Sequence, residues 1–428
     1  MTTGGLLAGV RRDDLVDLVL APEFVVDPYP AFARLRSEAP MLWIEPWNCW
    51  LMTRAQDVDA TIRDTRRFSS TERVARVIRG VPGFEEGRFA AIYENFEVGI
   101  AQQDPPAHGR LRSLVSAAFT PRRVENLRPR IQALVDEMLS PHLATGRLEL
   151  IGDLADPLPA SVIAELAGFP VEDRLRFRDW TYRINNIFFG SGATVAESGQ
   201  ADDANAAVLE ARDWIGELVE ERRADPRDDL LSALAAAEHE GGRLSTAEML
   251  SVAITLFLGG HDTTTGLIGL GMRALLRNPD QVALLRERPD LVPAAVEEML
   301  PYDAPFELNL RFVTEDVEVA GQPIAAGSLV RQALGSANRD GARYTDPDRF
   351  WVERPAQRHF ALGLGPHFCL GAPLARLQGQ VVVETLLREL PGLRLADGPD
   401  APGDHRPDIT NRNLRSLSLA FDHAARTR

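Results

Sequence analysis

The stretch HFALGLGPHFCLGAPLARLQGQVVVETLL, residues 359–387, holds the densest chemistry in this chain. At its centre is a single cysteine, Cys369, flanked by Gly363, Gly365 and Gly371 and followed by a strongly apolar run with helical spacing. Glycine permits turns that a side chain would forbid and lets backbone N–H groups approach a neighbour closely. The N-terminus of the helix that follows adds a dipole favouring negative charge. These features suit a cysteine held as a thiolate, in a dry setting, against a flat ligand. Three other readings stand beside this one. Cys369 could be an inert core residue next to a turn. With His359 and His367 close in sequence it could be a catalytic nucleophile, although the apolar helix behind it would hide it from a substrate carbonyl. The paired glycines of GLGPHF also imitate a phosphate loop, without the strand and helix flanks such a loop needs.

Upstream of that loop, Ser245 and Glu248 have capping-box spacing, and apolar residues then recur at helical intervals to Asn278, just before Pro279. A helix of that length crosses a whole domain. Its middle, FLGGHDTTTG (257–266), interrupts an apolar rod with glycines and polar groups, which are expensive to bury without partners or a task. Most segments from Pro105 to about Arg388 carry helical spacing. Nearer the start, Pro28-Tyr29-Pro30 leads into helical AFARLRSEA (31–39), then strand-like MLWIE (41–45) and CWLMT (49–53). Later, VEVAGQPIAAGSLV (317–330) reads as a hairpin and SLSLAF (416–421) alternates like a strand. The expected fold is mainly α with small peripheral β-sheets. No repeat, low-complexity tract or linker breaks the chain, so one domain is expected over residues 1–428.

Composition narrows the function classes. The chain has 428 residues, 45% of them hydrophobic, enough for a large core. Its 47 basic residues, every one an arginine, stand against 62 acidic ones, a net charge of −15. Nucleic-acid and anionic-membrane binding want a basic footprint, and this balance argues against both. The two cysteines, Cys49 and Cys369, offer neither a disulfide framework nor a CxxC zinc pair, which fits a reducing cytoplasm. MTTGGLLAGVRRDD places its arginines after a short apolar stretch, the reverse of a signal peptide. No run approaches the roughly 20 apolar residues that span a bilayer. A cytoplasmic protein with no membrane segment is expected.

GLGPHFCLGAPLAR (363–376) resembles the haem-binding signature of the cytochrome P-450 superfamily. Other family landmarks follow in order along nearly the whole chain: DPYPAFARLR (27–36), DPPAHGRLRSLVSAAFTPRRV (104–124), GGHDTTT (259–265), VEEML (296–300), GSANRD (335–340) and DPDRF (346–350). The chain is therefore similar to the bacterial-type soluble haem-thiolate monooxygenases. The resemblance implies that family's helix-rich triangular fold, with the long central helix across a haem b, and dioxygen as co-substrate. It also implies electrons from NAD(P)H through separate proteins, ferredoxin and ferredoxin reductase, since no flavin or ferredoxin domain follows the C-terminal strands. A monomer is expected. Two alternatives stay open: a member that consumes peroxide or rearranges its substrate, and a degenerate haem protein that binds a ligand without turnover.

The resemblance also assigns residues. Cys369 is the axial ligand, whose electron push favours O–O cleavage. His108 and Arg112, at i and i+4 on one helical face, reach the haem propionates together with Arg311 and His367. Asn309 sits where some members carry an acidic neighbour. Asp262 and Thr263 resemble the family's acid–alcohol pair. Thr263 would orient dioxygen and its water, while Asp262 would relay protons from solvent. The bland alternative is that Thr263 merely bonds back to its own helix. Gly259 and Gly260 would leave room for dioxygen, and Gly363 and Gly371 would shape the cysteine loop. His261 is given no role.

Two departures stand out. Pro301 occupies the arginine position of the Glu-x-x-Arg motif that runs through Glu298. Proline lacks the N–H donor and clashes with the preceding turn, so the helix should end or kink there. Glu298 is then expected to pair with Arg349 of DPDRF. Leu362 replaces the aromatic residue that covers the sulfur side, which bears on redox tuning. Segments matching the family's substrate-facing regions bring Phe84, Phe89, Phe96, Ile187, Phe188, Phe257, Leu258, Phe306 and Leu308 as an apolar wall. Arg88, Asn185, Asn186 and Glu307 supply polar groups, and residues 411–414 close the pocket. The expected substrate is a small, largely apolar molecule with one polar handle. Arg110, Arg122, Arg123 and Arg358 are expected to form a local basic patch for an acidic ferredoxin.

Overall fold

A computed structural model describes residues 12–81, 85, 87–189, 199–239 and 244–422. Six helices frame the centre: α1 (Ala107–Ser116), α2 (Pro157–Ala167), α3 (Arg174–Phe189), α4 (Thr246–Leu276), α5 (Val292–Tyr302) and α6 (Ala372–Glu389). The capping box at the start of α4 is formed. The Ser245 hydroxyl accepts from the Glu248 N–H at 3.2 Å, and the Glu248 carboxylate accepts from the Ser245 N–H at 2.8 Å. Its 31 residues make a rod about 46 Å long. Arg277 closes it, and Pro279 begins the next helix.

This rod packs against α2, α3, α5 and α6. Glycines let the backbones come close. A Cβ at Gly271 would lie 2.9 Å from Met299 Sδ of α5, and one at Gly266 only 2.7 Å from Pro305 Cβ. Most apolar side chains of α4 and α6 join one continuous core with α2 and α3.

The β structure is peripheral. Strands β1 (Met41–Ile44), β2 (Cys49–Met52), β3 (Phe68–Ser69), β4 (Leu308–Val313) and β5 (Leu329–Ala333) form one sheet in the order β1-β2-β5-β4-β3. Only β2 and β5 run parallel, with Trp50 opposite Val330. Val317–Val319 and Gln322–Ile324 form a separate hairpin whose turn residues, Ala320 (φ 50°) and Gly321 (φ 76°), match the mirror-image turns that hairpins favour. Leu414–Ser416 and Ser418–Ala420 are strands near the C-terminus. The expectation of a mainly helical fold with small sheets holds.

Pro301 behaves as its chemistry dictates. Helix α5 ends one residue later, at Tyr302. Arg339 takes over the helix end, donating from Nε to the Tyr302 carbonyl at 2.9 Å and standing 4.0 Å over the Tyr302 ring. Among the described residues, no helix is long and apolar enough to cross a membrane.

Candidate haem site

Residues 360–372 wrap the cysteine tightly. Gly363 N–H donates to the Phe360 carbonyl at 2.8 Å, Cys369 N–H to Leu362 at 2.9 Å, and Phe368 N–H to Gly365 at 3.1 Å. Gly363 (φ 67°) and Gly365 (φ 71°) both occupy the left-handed region, where a side chain is strained. Burial pushes the Cys369 thiol up, against the Gly371 and Ala372 N–H groups and the charges of Arg112 and Arg376. Those opposing groups favour the thiolate.

The sulfur opens onto a cavity of about 360 Å³. Its floor carries Leu362, Gly363, Cys369 and Gly371, and its roof is the face of α4 from Val252 through Thr255, Gly259 and Thr263 to Leu267. His108, Arg112, Arg311 and His367 converge on its edge, so residues from four distant sequence segments meet around one space. The two roof glycines do different things. A Cβ at Gly259 would meet nothing within 4 Å, leaving the helix face open, whereas one at Gly260 would press on Ile163 of α2 at 3.1 Å.

The edge is unusually cationic for a buried place. Arg311 Nη1 donates to Asn309 Oδ1 and to the Leu310 carbonyl, both at 3.0 Å, while its Nε has no partner among the described residues. Burial and then the Arg73 charge push Arg311 down to about 9. Arg73, unremarked in the sequence, lines the same cavity and is pushed down to about 10 by burial. It donates to the Ala101 and Leu310 carbonyls, and its Nε is likewise unpartnered among the described residues. The His108 and His367 rings lie 4.2 Å apart, and burial followed by the Arg311 charge pushes His367 down to about 2. Asp104, the acid acting on both arginines, is bonded by Ser69 and the Ser70 N–H. Buried cations with idle donors call for an anion. A haem fits this space: sulfur beneath, an open glycine above, apolar walls, and donors for two propionates at one edge.

Thr263 lines the cavity with its hydroxyl bonded back to the Gly259 carbonyl at 2.8 Å. Asp262 faces away from it. Its carboxylate accepts from Asn413 Nδ2 at 2.7 Å and Asn411 Nδ2 at 3.3 Å, with Arg406 at 3.7 Å. Burial raises its pKa, with Arg406, His261 and Asn411 opposing. His261 Nε2 lies 3.0 Å from Asp156 Oδ1, which also accepts from the Tyr182 hydroxyl at 2.5 Å.

Three expectations are corrected. Glu298 is buried, but its partner is Arg354, not Arg349. Arg354 Nε donates to both carboxylate oxygens, at 2.8 and 3.1 Å, and the Trp351 N–H adds a third bond at 2.9 Å. The turn after DPDRF brings Trp351 and Arg354 back towards α5, leaving Arg349 exposed with its guanidinium 5.3 Å above the Trp351 ring. Beside Pro301, where an arginine would stand, lies a cavity of about 140 Å³ bordered by Glu298, Asn338 and Arg354.

The substrate wall is also smaller than expected. Phe306 lines the cavity, while Phe89, Phe96, Ile187, Phe257, Leu258 and Leu308 do not. Phe257 points into an aromatic cluster, 6.0 Å from Phe177 and 6.2 Å from Trp180. Along β4, Asn309 and Arg311 face the cavity, so strand alternation sends Leu308 to the opposite side, where it packs with Phe32 and Leu35. Phe89, Phe96 and Ile187 belong to the main core and Leu258 packs on it. Phe84 and the Phe188 side chain lie outside the described residues. Of the polar groups, Arg88 pairs with Asp202 and Glu307 is buried against Tyr29, Asp303 and Arg412. Thr255, absent from the expectations, lines the cavity with a buried hydroxyl that has no partner among the described residues. Arg110 is engaged by Glu248, and Arg123 lies 3.8 Å from Asp228, so the expected basic patch is partly neutralised.

Comparison with known proteins agrees with this geometry. The cytochrome P450 family model matches residues 194–391. Cytochrome P450 107B1 of Saccharopolyspora erythraea is 40% identical over 404 residues, covering 94% of this chain and 95% of that protein. Cytochrome P450 monooxygenase PikC of Streptomyces venezuelae is 40% identical over 411 residues, covering 94% and 93%. Among solved structures, CalO2 superposes with a TM-score of 0.86 at 34% identity, covering 94% of this chain and 98% of that one. With a cysteine loop beneath a long helix and relatives matched along nearly their whole length, the chain belongs to the cytochrome P450 family, as a bacterial-type haem-thiolate monooxygenase.

Proposed function

We propose that the chain inserts one atom of dioxygen into a largely apolar molecule held between the Cys369 loop and α4. The observation that carries this is the Cys369 sulfur, open to the cavity across from Gly259 and beside buried, idle arginine donors. Haem b bound there supplies dioxygen activation, and the overall balance is C–H plus dioxygen, two electrons and two protons giving C–OH and water. Cys369 would hold the haem iron through its sulfur. Arg73, His108, Arg112, Arg311 and His367, which line the cavity, would hold the propionates. Thr263 orients a water at the oxygen side, and Asp262 renews its protons from solvent.

Thr255 lies eight residues before Thr263 on α4, about 12 Å along the helix. Its buried hydroxyl has no partner among the described residues, and a hydrogen-bonding group on the substrate, remote from Thr263, would supply one. The working unit is a cytoplasmic monomer, one domain over residues 1–428, served by ferredoxin and its reductase. Two free cysteines support the reducing compartment, and exposed Arg122 and Arg358 support steering of an acidic partner.

Reduced, haem-loaded protein under carbon monoxide tests the ligation: a thiolate-type spectrum is expected, and its absence refutes the reading. NAD(P)H consumption with surrogate redox partners, combined with a screen for ligands that shift the haem spin state, separates turnover from mere binding.

A further inference from the structure

Asp262 sits in a mould made by the C-terminal loop. One carboxylate oxygen accepts from Asn413 Nδ2 at 2.7 Å and the other from Asn411 Nδ2 at 3.3 Å, while Arg406 Nη1 lies 3.7 Å away. Asn413 Nδ2 also reaches the Asp262 backbone carbonyl at 3.1 Å. All three residues are built into place. Asp408 takes the Asn411 N–H at 3.0 Å, Arg406 N–H donates to the Asn413 carbonyl at 2.9 Å, and Arg406 Nη2 donates to the Tyr182 hydroxyl at 2.7 Å. A Cβ at Gly266 would fall 2.7 Å from Asn413 Oδ1, so the loop needs glycine on α4 at that point. Residues 411–414, expected from the sequence to face the substrate, instead supply two of these contacts.

We propose that Asn411, Asn413 and Arg406 are positioning residues that hold the Asp262 carboxylate turned away from the cavity and set how tightly it binds its proton. The proposal rests on the reading of Asp262 as the proton source. Every group aimed at the carboxylate is a donor, so each favours the charged form against the burial that opposes it. The other titratable groups around it are His261 on α4, Tyr182 on α3, Asp156 just before α2, and Asp408 on the same loop as Arg406. Asp156 already serves Tyr182 and His261, and its second oxygen meets Arg178 at 3.1 Å, whose side chain is 47% exposed. A chain of contacts thus leads from Asp262 across the 3.7 Å ion pair to Arg406, and on through hydrogen bonds to Tyr182 and Asp156, to exposed Arg178.

The test is infrared difference spectroscopy of the carboxyl stretch across pH, on haem-loaded protein, with Asp262→Asn identifying the Asp262 band. Asn411→Asp replaces a donor with a like charge, and Arg406→Gln removes the positive one. Both should raise the Asp262 proton affinity at least tenfold. Arg406→Lys, which keeps the charge, should leave it within a few-fold of the parent. An unmoved midpoint in Asn411→Asp overturns the proposal, as does an unmoved one in Arg406→Gln; should Arg406→Gln not fold, Asn411→Asp decides alone. Separately, oxygen consumption with surrogate redox partners is followed across pH in light and heavy water. If Asp262→Asn leaves that profile and isotope effect unchanged, the proton-source reading fails while the infrared result still decides the clamp.

Discussion

Replacing Arg354 with methionine should destabilise the protein severely, although the residue lies far from the reacting atoms. Glu298 is 4% exposed and Arg354 contributes two of its three hydrogen bonds, at 2.8 and 3.1 Å. The same guanidinium also donates to the carbonyls of Thr345, Asp346 and Arg349, so it ties α5 to the loop over residues 345–349. Its side chain is only 15% exposed, so solvent screens the pair weakly. Breaking a buried pair by removing one partner costs about 3–5 kcal/mol, because the remaining charge keeps its burial and loses its compensation. The surviving Trp351 N–H places Arg354→Met toward the lower end, about 3 kcal/mol. A domain stable by about 5–15 kcal/mol loses a large part of that margin. Urea unfolding, followed by the haem absorbance and by circular dichroism, measures the loss. Arg349→Ala, which removes an exposed guanidinium, should change stability by no more than about 0.5 kcal/mol. Adding Glu298→Gln to Arg354→Met should recover part of the loss, since no charge is then stranded. Equal effects from Arg349→Ala and Arg354→Met, or no effect from Arg354→Met, refute the reasoning.

Cys369→Ser should abolish the thiolate-type carbon monoxide spectrum, while Cys49→Ala, at a site 1% exposed in a separate apolar cluster, should retain it; the opposite pattern means that Cys49, not Cys369, holds the iron. Thr263→Ala should fold and bind substrate but release several-fold more hydrogen peroxide per NAD(P)H consumed, and an unchanged ratio shows that another group delivers the proton. Arg311→Leu removes a buried donor from the cavity edge and should weaken haem retention about tenfold or more, read by transfer of haem to an apo-acceptor protein. Thr255→Val, nearly isosteric, should weaken only those spin-shifting ligands that carry a hydrogen-bonding group far from the oxidised carbon, by about 0.5–1.5 kcal/mol; a uniform loss across all ligands counts against the contact.

Local chemistry was readable where neighbours in sequence are neighbours in space. The Ser245–Glu248 box, the stop at Pro279, the strands around Cys49 and the glycines about Cys369 are all set within a few residues, and each stands as expected. His108 and Arg112 share a helical face through spacing alone. Residues with the right chemistry but competing destinations were misread. Phe257 and Phe306 look alike in sequence, yet an aromatic cluster on α3 claims the first and the cavity keeps the second. Arg349 and Arg354 are five positions apart, and only the turn between them decides which guanidinium comes back to Glu298. Nothing in TERVARVIR (71–79) marks Arg73 as the buried arginine. Its burial comes from packing on β4 and on the segment around Ala101, far away in sequence.

The acid and the alcohol of α4 are sequence neighbours, and helical geometry forbids them the same direction, since adjacent residues point about 100° apart. The fold uses that angle. Thr263, with Gly259 and Thr255 on the same stripe, faces the cavity, where its one bond is to its own helix. Asp262 and His261 turn to the other side, where Asn411, Asn413, Arg406 and Asp156 supply partners that an apolar cavity cannot. The helix is therefore a wall between a space that must stay dry and a charged network that reaches solvent through Arg178. A carboxylate placed on the cavity side would lie desolvated beside the substrate, and an alcohol on the far side would be out of reach of it. Offset by one residue, the pair spans the wall. On the proposed reading, the carboxylate stays with its donors on the network side while Thr263 faces the cavity beside the open face at Gly259.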